Sequence, residues 1–210
     1  SIVIPNSVDG SQFFPKSLSG KEAECFVFAC MASIRESKGI GDLLCAAQLL
    51  KGRGLKIKIR IGGSGPDLVR YMKFCEDNNL DEVVEWAGRI SRSDAPNFYR
   101  EADAFVLPSH HESFGMVFVE AMASGLPIVA TKCGGPEGIV TPESGVLVNV
   151  GDVAGLANAM EKVIYSLGNY SPRVIREQFE RRYSTSVVLE RIREVLLSVI
   201  PPSRRAHSRA

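Results

Sequence analysis

No stretch of this chain reaches the roughly 18 to 20 consecutive apolar residues that a membrane-spanning helix needs, and no signal-peptide pattern is legible at its start. Excess charge is lacking too. The 25 basic and 24 acidic residues leave a net charge of +1, which gives no global attraction to nucleic acid or to an anionic membrane. Histidine is rare, at 3 residues, and none of the three sits at zinc-ligand spacing. Disulfide chemistry is not encoded either. Cys25, Cys30, Cys45, Cys75 and Cys133 are odd in number, contain no Cys-x-x-Cys pair and lie mostly in apolar runs. They read as reduced, largely buried thiols, which fits a reducing compartment.

What remains is an ordinary globular composition, 45% apolar and 23% charged over 210 residues. That length suits one large domain able to bury its own core. The ends read differently from the middle. The chain opens at Ser1 and at once enters a run of turn formers, Ile4, Pro5, Asn6, Ser7, Val8, Asp9 and Gly10, so residues 1–20 are expected to be a linker to a neighbouring domain. Residues 21–200 form the domain, and the polar, basic residues 201–210 are expected to be a disordered tail.

Within the domain, strand and helix patterns alternate. Apolar or alternating runs predict strands over 25–32, 55–62, 83–87, 104–107, 128–131 and 145–148. Helical spacing covers 39–51, 66–78 with Pro66 at the first helical position, 95–101, 115–124, 152–167, 172–182 and 185–200. In 55–62, Lys56, Lys58 and Arg60 alternate with Ile57, Ile59 and Ile61, a pattern that predicts a sheet edge or a wet surface. The alternation implies an α/β fold, a Rossmann-like parallel sheet flanked by helices on both faces. In such sheets ligands bind beyond the carboxyl ends of the strands. The loops to watch are therefore 33–39, 62–65, 88–92, 108–114 and 132–137.

One of them stands out. Glu112 precedes a predicted helix start at Ser113, Phe114 and Gly115, and Glu120 follows eight residues on, the single charge in an otherwise apolar helix. An unpaired carboxylate is costly to bury. Glu120 therefore needs a partner, either a core cation or a ligand hydroxyl. The helix start carries unpaired amides and partial positive charge, and Gly115 removes the side chain that would block a phosphate or sugar oxygen there. Glu112 is either a plain helix-start acid or an acceptor for sugar hydroxyls. Lys38, in loop 33–39, is a point charge suited to a phosphate, with solvated surface charge as the plain alternative. Gly62, Gly63 and Gly65 lack the third glycine of a dinucleotide fingerprint, because Leu68 stands there. That run reads as a turn that lets neighbouring loops come close. His110 and His111 flank Glu112 without a defined role.

Glu112 and Glu120 with Phe114-Gly115 between them, followed by Ala121-Met122-Ala123-Ser124-Gly125-Leu126-Pro127, resemble the Glu-x7-Glu motif of retaining glycosyltransferases of family 4. The likeness extends to Ile4-Pro5-Asn6-Ser7-Val8-Asp9, Gly62-Gly63-Ser64-Gly65-Pro66, Ala102-Asp103-Ala104 through Pro108-Ser109, Gly134-Gly135-Pro136-Glu137 and Gly145-Val146-Leu147-Val148. The resemblance implies the C-terminal, donor-binding half of a GT-B architecture, whose missing N-terminal domain binds the acceptor. It implies a nucleotide-diphosphate sugar, UDP- or GDP-linked, and no metal or other cofactor. It assigns Glu112 and Lys38 to catalysis. It assigns Glu120 to the donor ribose, and Phe114, Gly115, Met116 and Val117 to sugar and diphosphate oxygens through their amides. Arg89 and Ile90 fall in the loop that meets the base.

One position departs from the family. Ser33 stands where an arginine is usual, and Arg35, two residues on, is the candidate substitute. That departure keeps a non-catalytic nucleotide-sugar-binding module open beside the transferase, as is a nucleotide-sugar 2-epimerase on the same architecture. A chain holding this half alone is expected to bind donor weakly and transfer nothing. Cytoplasmic residence, with contact to the membrane face left open, fits the polysaccharide or glycolipid products that the resemblance implies. Val188, Ile192, Val195 and Val199 recur at seam-like spacing in the last helix. That stripe either supports self-association or packs on the domain's own sheet.

Overall fold

The structure is a computed structural model that describes residues 4–16 and 25–199. The expected tail, residues 201–210, lies outside the described residues. Six parallel strands make one sheet: β1 (Phe26–Met31), β2 (Ile57–Gly62), β3 (Val84–Gly88), β4 (Ala104–Leu107), β5 (Ile128–Thr131) and β6 (Gly145–Val148). Their order is β3-β2-β1-β4-β5-β6. The helices are α1 (Ile40–Gly52), α2 (Leu68–Asp77), α3 (Ala95–Arg100), α4 (Met116–Ala123), α5 (Val153–Tyr165), α6 (Pro172–Tyr183) and α7 (Thr185–Val199). α1 packs against α2 and α5, whereas α4 packs against α3 and α6. The sheet is thus sandwiched between two helical layers, as the alternating pattern predicts.

The strand order fixes where a ligand can sit. The chain runs outward from β1 to β3, returns to the middle at β4, then runs outward the other way to β6. Where the direction reverses, the loops following β1 and β4 splay apart and leave a crevice. β1 and β4 are paired through Phe28 with Ala104 and Ala29 with Phe105. The loop carrying Lys38 therefore emerges beside the loop carrying Glu112. Gly39, at φ +65°, sits so close to the second loop that a Cβ would lie 1.9 Å from the Pro108 carbonyl oxygen. Only glycine allows that approach.

The core follows from the apolar runs. Phe28, Ile59, Tyr99, Phe105 and Phe118 are fully buried, and Phe105 meets Phe118 edge-on at 5.7 Å. Two expectations change. β2 is an inner strand, covered by β3 at the edge. Its polar face is occupied by an ion-pair cluster in which Arg60 reaches both Glu85 and Glu101. Pro66 is not the first helical residue. It stays in the turn before α2, which begins at Leu68, because Asp67 just before the helix folds back to accept the Glu36 amide.

The described part of the predicted linker lies against the domain. Val8 donates its amide to the Tyr183 carbonyl, and Val8 and Phe13 are buried. Arg176 of α6 pins this segment by donating to the carbonyls of Gly10, Phe13 and Ala123. Three acceptors matched by one planar fork are not replaced by a lysine. Arg176→Ala should lower stability by about 2–4 kcal/mol, because the acceptors it leaves include partly buried ones. Urea unfolding of the purified chain checks this, and an unchanged midpoint would show that the segment is not held by Arg176.

Candidate donor-binding site

The site grows out of three loops at the carboxyl end of the sheet. Loop 33–39 crosses over Gly63, whose Cβ, if it had one, would lie 1.8 Å from the Ala32 carbonyl oxygen, and Gly65 stacks equally tightly on Ile34. This is the close approach of loops that the glycine run predicts. Loop 108–114 follows β4 and leads into α4. Gly115 precedes α4 at φ +91°, and no side chain caps the helix start. The first-turn amides, Met116 and Val117 among them, have no acceptor within the helix and point outward.

Two hollows meet across these loops. One, of about 350 Å³, is lined by Ser33, Lys38, Glu112, Ser113 and the residues from Phe114 to Val117, with Asn6 of the N-terminal segment on its rim. The other, of about 330 Å³, is lined by Gly62, Gly63, Ser64, Arg89 and Ile90. Met31, Ala32, Ser33 and Val117 border both, so the two form one groove along the end of the sheet. A larger hollow of about 470 Å³ lies to the side, between α1, α2 and His110. It is lined by Gly39, Gly41 and Asp42 at the start of α1, but by none of the residues that the sequence assigns to catalysis or donor binding, so the candidate site is the groove.

The predicted residues converge. Lys38 Nζ donates to Glu112 Oε2 at 2.5 Å, joining two candidates that are 74 positions apart. The backbone of Glu112 is itself anchored: its amide donates to Cys133 O and its carbonyl accepts from the Gly135 amide. Arg35 Nε donates to Ser33 Oγ at 3.0 Å. The guanidinium thus folds back onto the position where the resembling family carries its arginine. Arg89 and Ile90 line the second hollow. His110 is drawn elsewhere: Nε2 pairs with Asp42 Oδ2 at 2.8 Å, at the mouth of the lateral hollow.

Glu120 lies one turn below Val117 and borders neither hollow directly. It is not locked by a core cation. Its Oε2 accepts a hydrogen bond from the Tyr99 hydroxyl at 2.8 Å. Burial pushes its pKa up, while the Tyr99 hydrogen bond and the charge of Arg92 pull it back. Tyr99 is fully buried, and burial together with the neighbouring Glu120 holds its hydroxyl well above the ordinary range, so it stays a donor. Tyr99 and Arg92 are the residues that sequence reasoning missed. A buried tyrosine requires a hydroxyl partner, and so does a carboxylate on an apolar helix, but nothing in the sequence pairs the two.

Other candidates fall away. Burial pushes the Cys30 thiol up to about 12 and the Cys75 thiol to about 11, so neither is a thiolate nucleophile at neutral pH. Among the described residues there is no group of three or more His, Cys, Asp or Glu side chains placed to hold a metal, and no helix is long and apolar enough to cross a membrane. In α7, Val188 is buried and Val195 half-buried, so part of the predicted stripe packs on the domain, while Leu189, Ile192 and Leu196 stay exposed.

A family model described as glycosyl transferases group 1 matches residues 13–176. The D-inositol 3-phosphate glycosyltransferase of Saccharomonospora viridis is 30% identical over 202 residues, covering 89% of this chain and 47% of that protein. The 2-deoxystreptamine N-acetyl-D-glucosaminyltransferase of Niallia circulans is 31% identical over 148 residues, covering 70% of this chain and 37% of that protein. The chain thus spans about half the length, or less, of these curated relatives. Among solved structures, Anabaena Alr3699/HepE in complex with UDP aligns with a TM-score of 0.83 at 24% identity, covering 94% of this chain and 57% of that one. Sucrose-phosphate synthase from Thermosynechococcus elongatus aligns with a TM-score of 0.82 at 23% identity, covering 93% and 52%. These likenesses show the shared Rossmann-like fold of GT-B enzymes. With most of its length inside the family model and a relative at 30% identity along nearly all of it, the chain belongs to the group 1 glycosyl transferases.

Proposed function

We propose that this chain is the C-terminal, donor-binding domain of a retaining glycosyltransferase of family 4, one that moves a hexose from a UDP- or GDP-linked donor to an acceptor held by a separate N-terminal domain. The observation that carries the reading is the meeting of Lys38, Glu112 and the uncapped start of α4 in one hollow that continues toward Arg89 and Ile90. The Anabaena relative by fold was solved with UDP and with UDP-glucose, which supports a uridine donor for this groove as well.

In this reading the base lies against Arg89 and Ile90, the ribose reaches down to Glu120, and the diphosphate lies over the amides of Gly115, Met116 and Val117. The transferred sugar fills the first hollow near Phe114. When the bond from the anomeric carbon to the phosphate oxygen breaks, its electron pair stays on the diphosphate. The negative charge that builds there is met by Lys38 and by the helix start. No divalent ion is required for that task. Arg35, resting on Ser33, supplies a second cation where the family's arginine is absent, and this favours a working transferase over a purely binding module. Lys38 and Glu112 pair with each other across the groove. With donor in place, Lys38 turns to the phosphate and Glu112 to the sugar hydroxyls, which it orients for reaction. The domain by itself presents one wall of the cleft, so it binds donor without transferring sugar. In this reading the protein works in the cytoplasm, with contact to the membrane face left open.

Calorimetric titration with UDP, GDP and ADP in the presence of EDTA tests the reading. One of the three should bind, and binding of none would overturn the donor assignment. In the complete two-domain protein, Glu112→Ala should lower kcat about a hundredfold with little change in KM, because orientation rather than donor affinity is lost. A parent-like rate would remove Glu112 from the mechanism.

Glu120→Gln separates binding from stability. Glu120 has its pKa raised on folding, so the native state holds the proton more tightly than the unfolded chain does. Stability therefore falls as pH rises through the unfolded carboxyl pKa toward the folded one. The glutamine variant should unfold at a higher temperature than the parent at pH 7, with the gain fading toward pH 4. It should bind the preferred nucleoside diphosphate about tenfold more weakly. Paired thermal unfolding and calorimetry check both halves.

A further inference from the structure

The inner acid of the groove is tied to a residue with no assigned role. The Tyr99 side chain sits in an aromatic cluster, 5.6 Å from Phe105, 6.1 Å from Phe98 and 6.0 Å from Phe13 by ring centroids. It is fully buried among these rings. Its hydroxyl meets Glu120 Oε2 at 2.8 Å, with the Val117 carbonyl oxygen at 3.3 Å and the Met31 sulfur at 3.8 Å. The hydroxyl has one proton to give, and the carboxylate is the nearest and most basic of the three acceptors. Glu120 Oε1, by contrast, has no hydrogen bond among the described residues, and it is not an enclosed unsatisfied atom, of which Ser109 Oγ is the single case among the described residues. One oxygen is therefore held by the core while the other is not fully enclosed, one turn below Val117, which lines both hollows.

We infer that Tyr99 is a positioning residue for donor recognition: it holds the Glu120 carboxylate through Oε2 and so presents Oε1 to the 2′,3′-diol of a ribose. The inference rests on the reading of Glu120 given above and deepens it. Three physical roles combine. The rigid aromatic cluster fixes the direction of the carboxylate, which a free glutamate on a helix would not keep. The hydrogen bond satisfies the oxygen facing the core, which would otherwise be desolvated without compensation. It also favours the charged form of Glu120, as does Arg92 from the loop before α3, against the burial that opposes it. These two, with the Cys30 thiol beside Tyr99 on β1, are the titratable or charged groups whose influence reaches the pair. A charged carboxylate accepts from ribose hydroxyls, whereas a protonated one has lost half of that capacity.

The test compares UDP, GDP and ADP with their 2′,3′-dideoxy counterparts on the parent chain, Tyr99→Phe and Glu120→Gln, by calorimetry between pH 5 and 8. Phenylalanine keeps the ring and removes only the hydroxyl. The parent should prefer the ribonucleotide. Tyr99→Phe should bind the ribonucleotide about fivefold to tenfold more weakly at pH 7 and the dideoxy form equally well. Its ribonucleotide affinity should fall off at a higher pH than the parent's, because the carboxylate has lost a stabilising donor. Should Tyr99→Phe fail to fold, 3-fluorotyrosine at position 99 keeps the ring and the hydroxyl and makes a stronger donor, so the fall-off should move to lower pH. Equal weakening of ribo and dideoxy ligands in Tyr99→Phe would make Tyr99 a packing residue only and overturn the inference. So would a preference lost in Glu120→Gln yet intact in Tyr99→Phe, which would leave the ribose reading of Glu120 standing. A parent chain that does not distinguish the two sugars would overturn the ribose reading and this inference together.

Discussion

A carboxylate placed on an apolar helix has to be reconciled with the core around it, and most of what is distinctive in this domain follows from how that is done. α4 is buried along Phe118, Val119, Ala121, Met122 and Ala123, packed against α3, α6 and β5. Glu120 projects from the same helix and survives there because Tyr99 donates to one of its oxygens while the other is not fully enclosed. Glutamine would be cheaper at this point in the fold. That the chain instead carries a charge with a raised pKa is the kind of local cost that functional sites keep.

The second constraint is topological. Reversal of strand order between β1 and β4 brings two loops side by side that are far apart in sequence, and Gly39 lets them touch. Lys38 and Glu112 then pair with each other. Such a pair, partly exposed, contributes little to stability. It keeps a cation and an anion in the same small hollow. The start of α4 completes the set with amides that need an acceptor from outside the helix. Cation and carboxylate arrive from different loops, and the amides from the helix that follows the second of them.

How much of this could be read beforehand depends on the range of the interaction. The boundaries of β4, β5 and β6 coincide with their apolar runs because buried parallel strands advertise themselves over four or more residues. The glycine-flanked α4 was equally plain, since its start at Gly115 and its stop at Gly125 are both local signals. The alternating lysines and arginine of β2 read as a sheet edge or a wet surface, and the strand order overturns the edge. The partners that cover Arg60, Glu85 and Glu101, lie 25 and 41 positions away. Tyr99 escaped for the same reason, being 21 positions from Glu120 on a short helix with no pattern of its own. The fold back of Arg35 onto Ser33 is local, yet it depends on the extended backbone at Arg35, which residue identity does not dictate. Motif and fold were legible, whereas the atoms that tune the motif were not.

The central claim is that a ribose and its diphosphate lie along the groove from Glu120 to the start of α4. A crystal structure of this chain soaked with the nucleoside diphosphate that it binds tests it most directly. The account predicts the ribose hydroxyls within hydrogen-bonding distance of Glu120 Oε1 and phosphate oxygens on the amides of Met116 and Val117. Nucleotide density in the lateral hollow beside His110 and Asp42, with Glu120 and the start of α4 untouched, would contradict it.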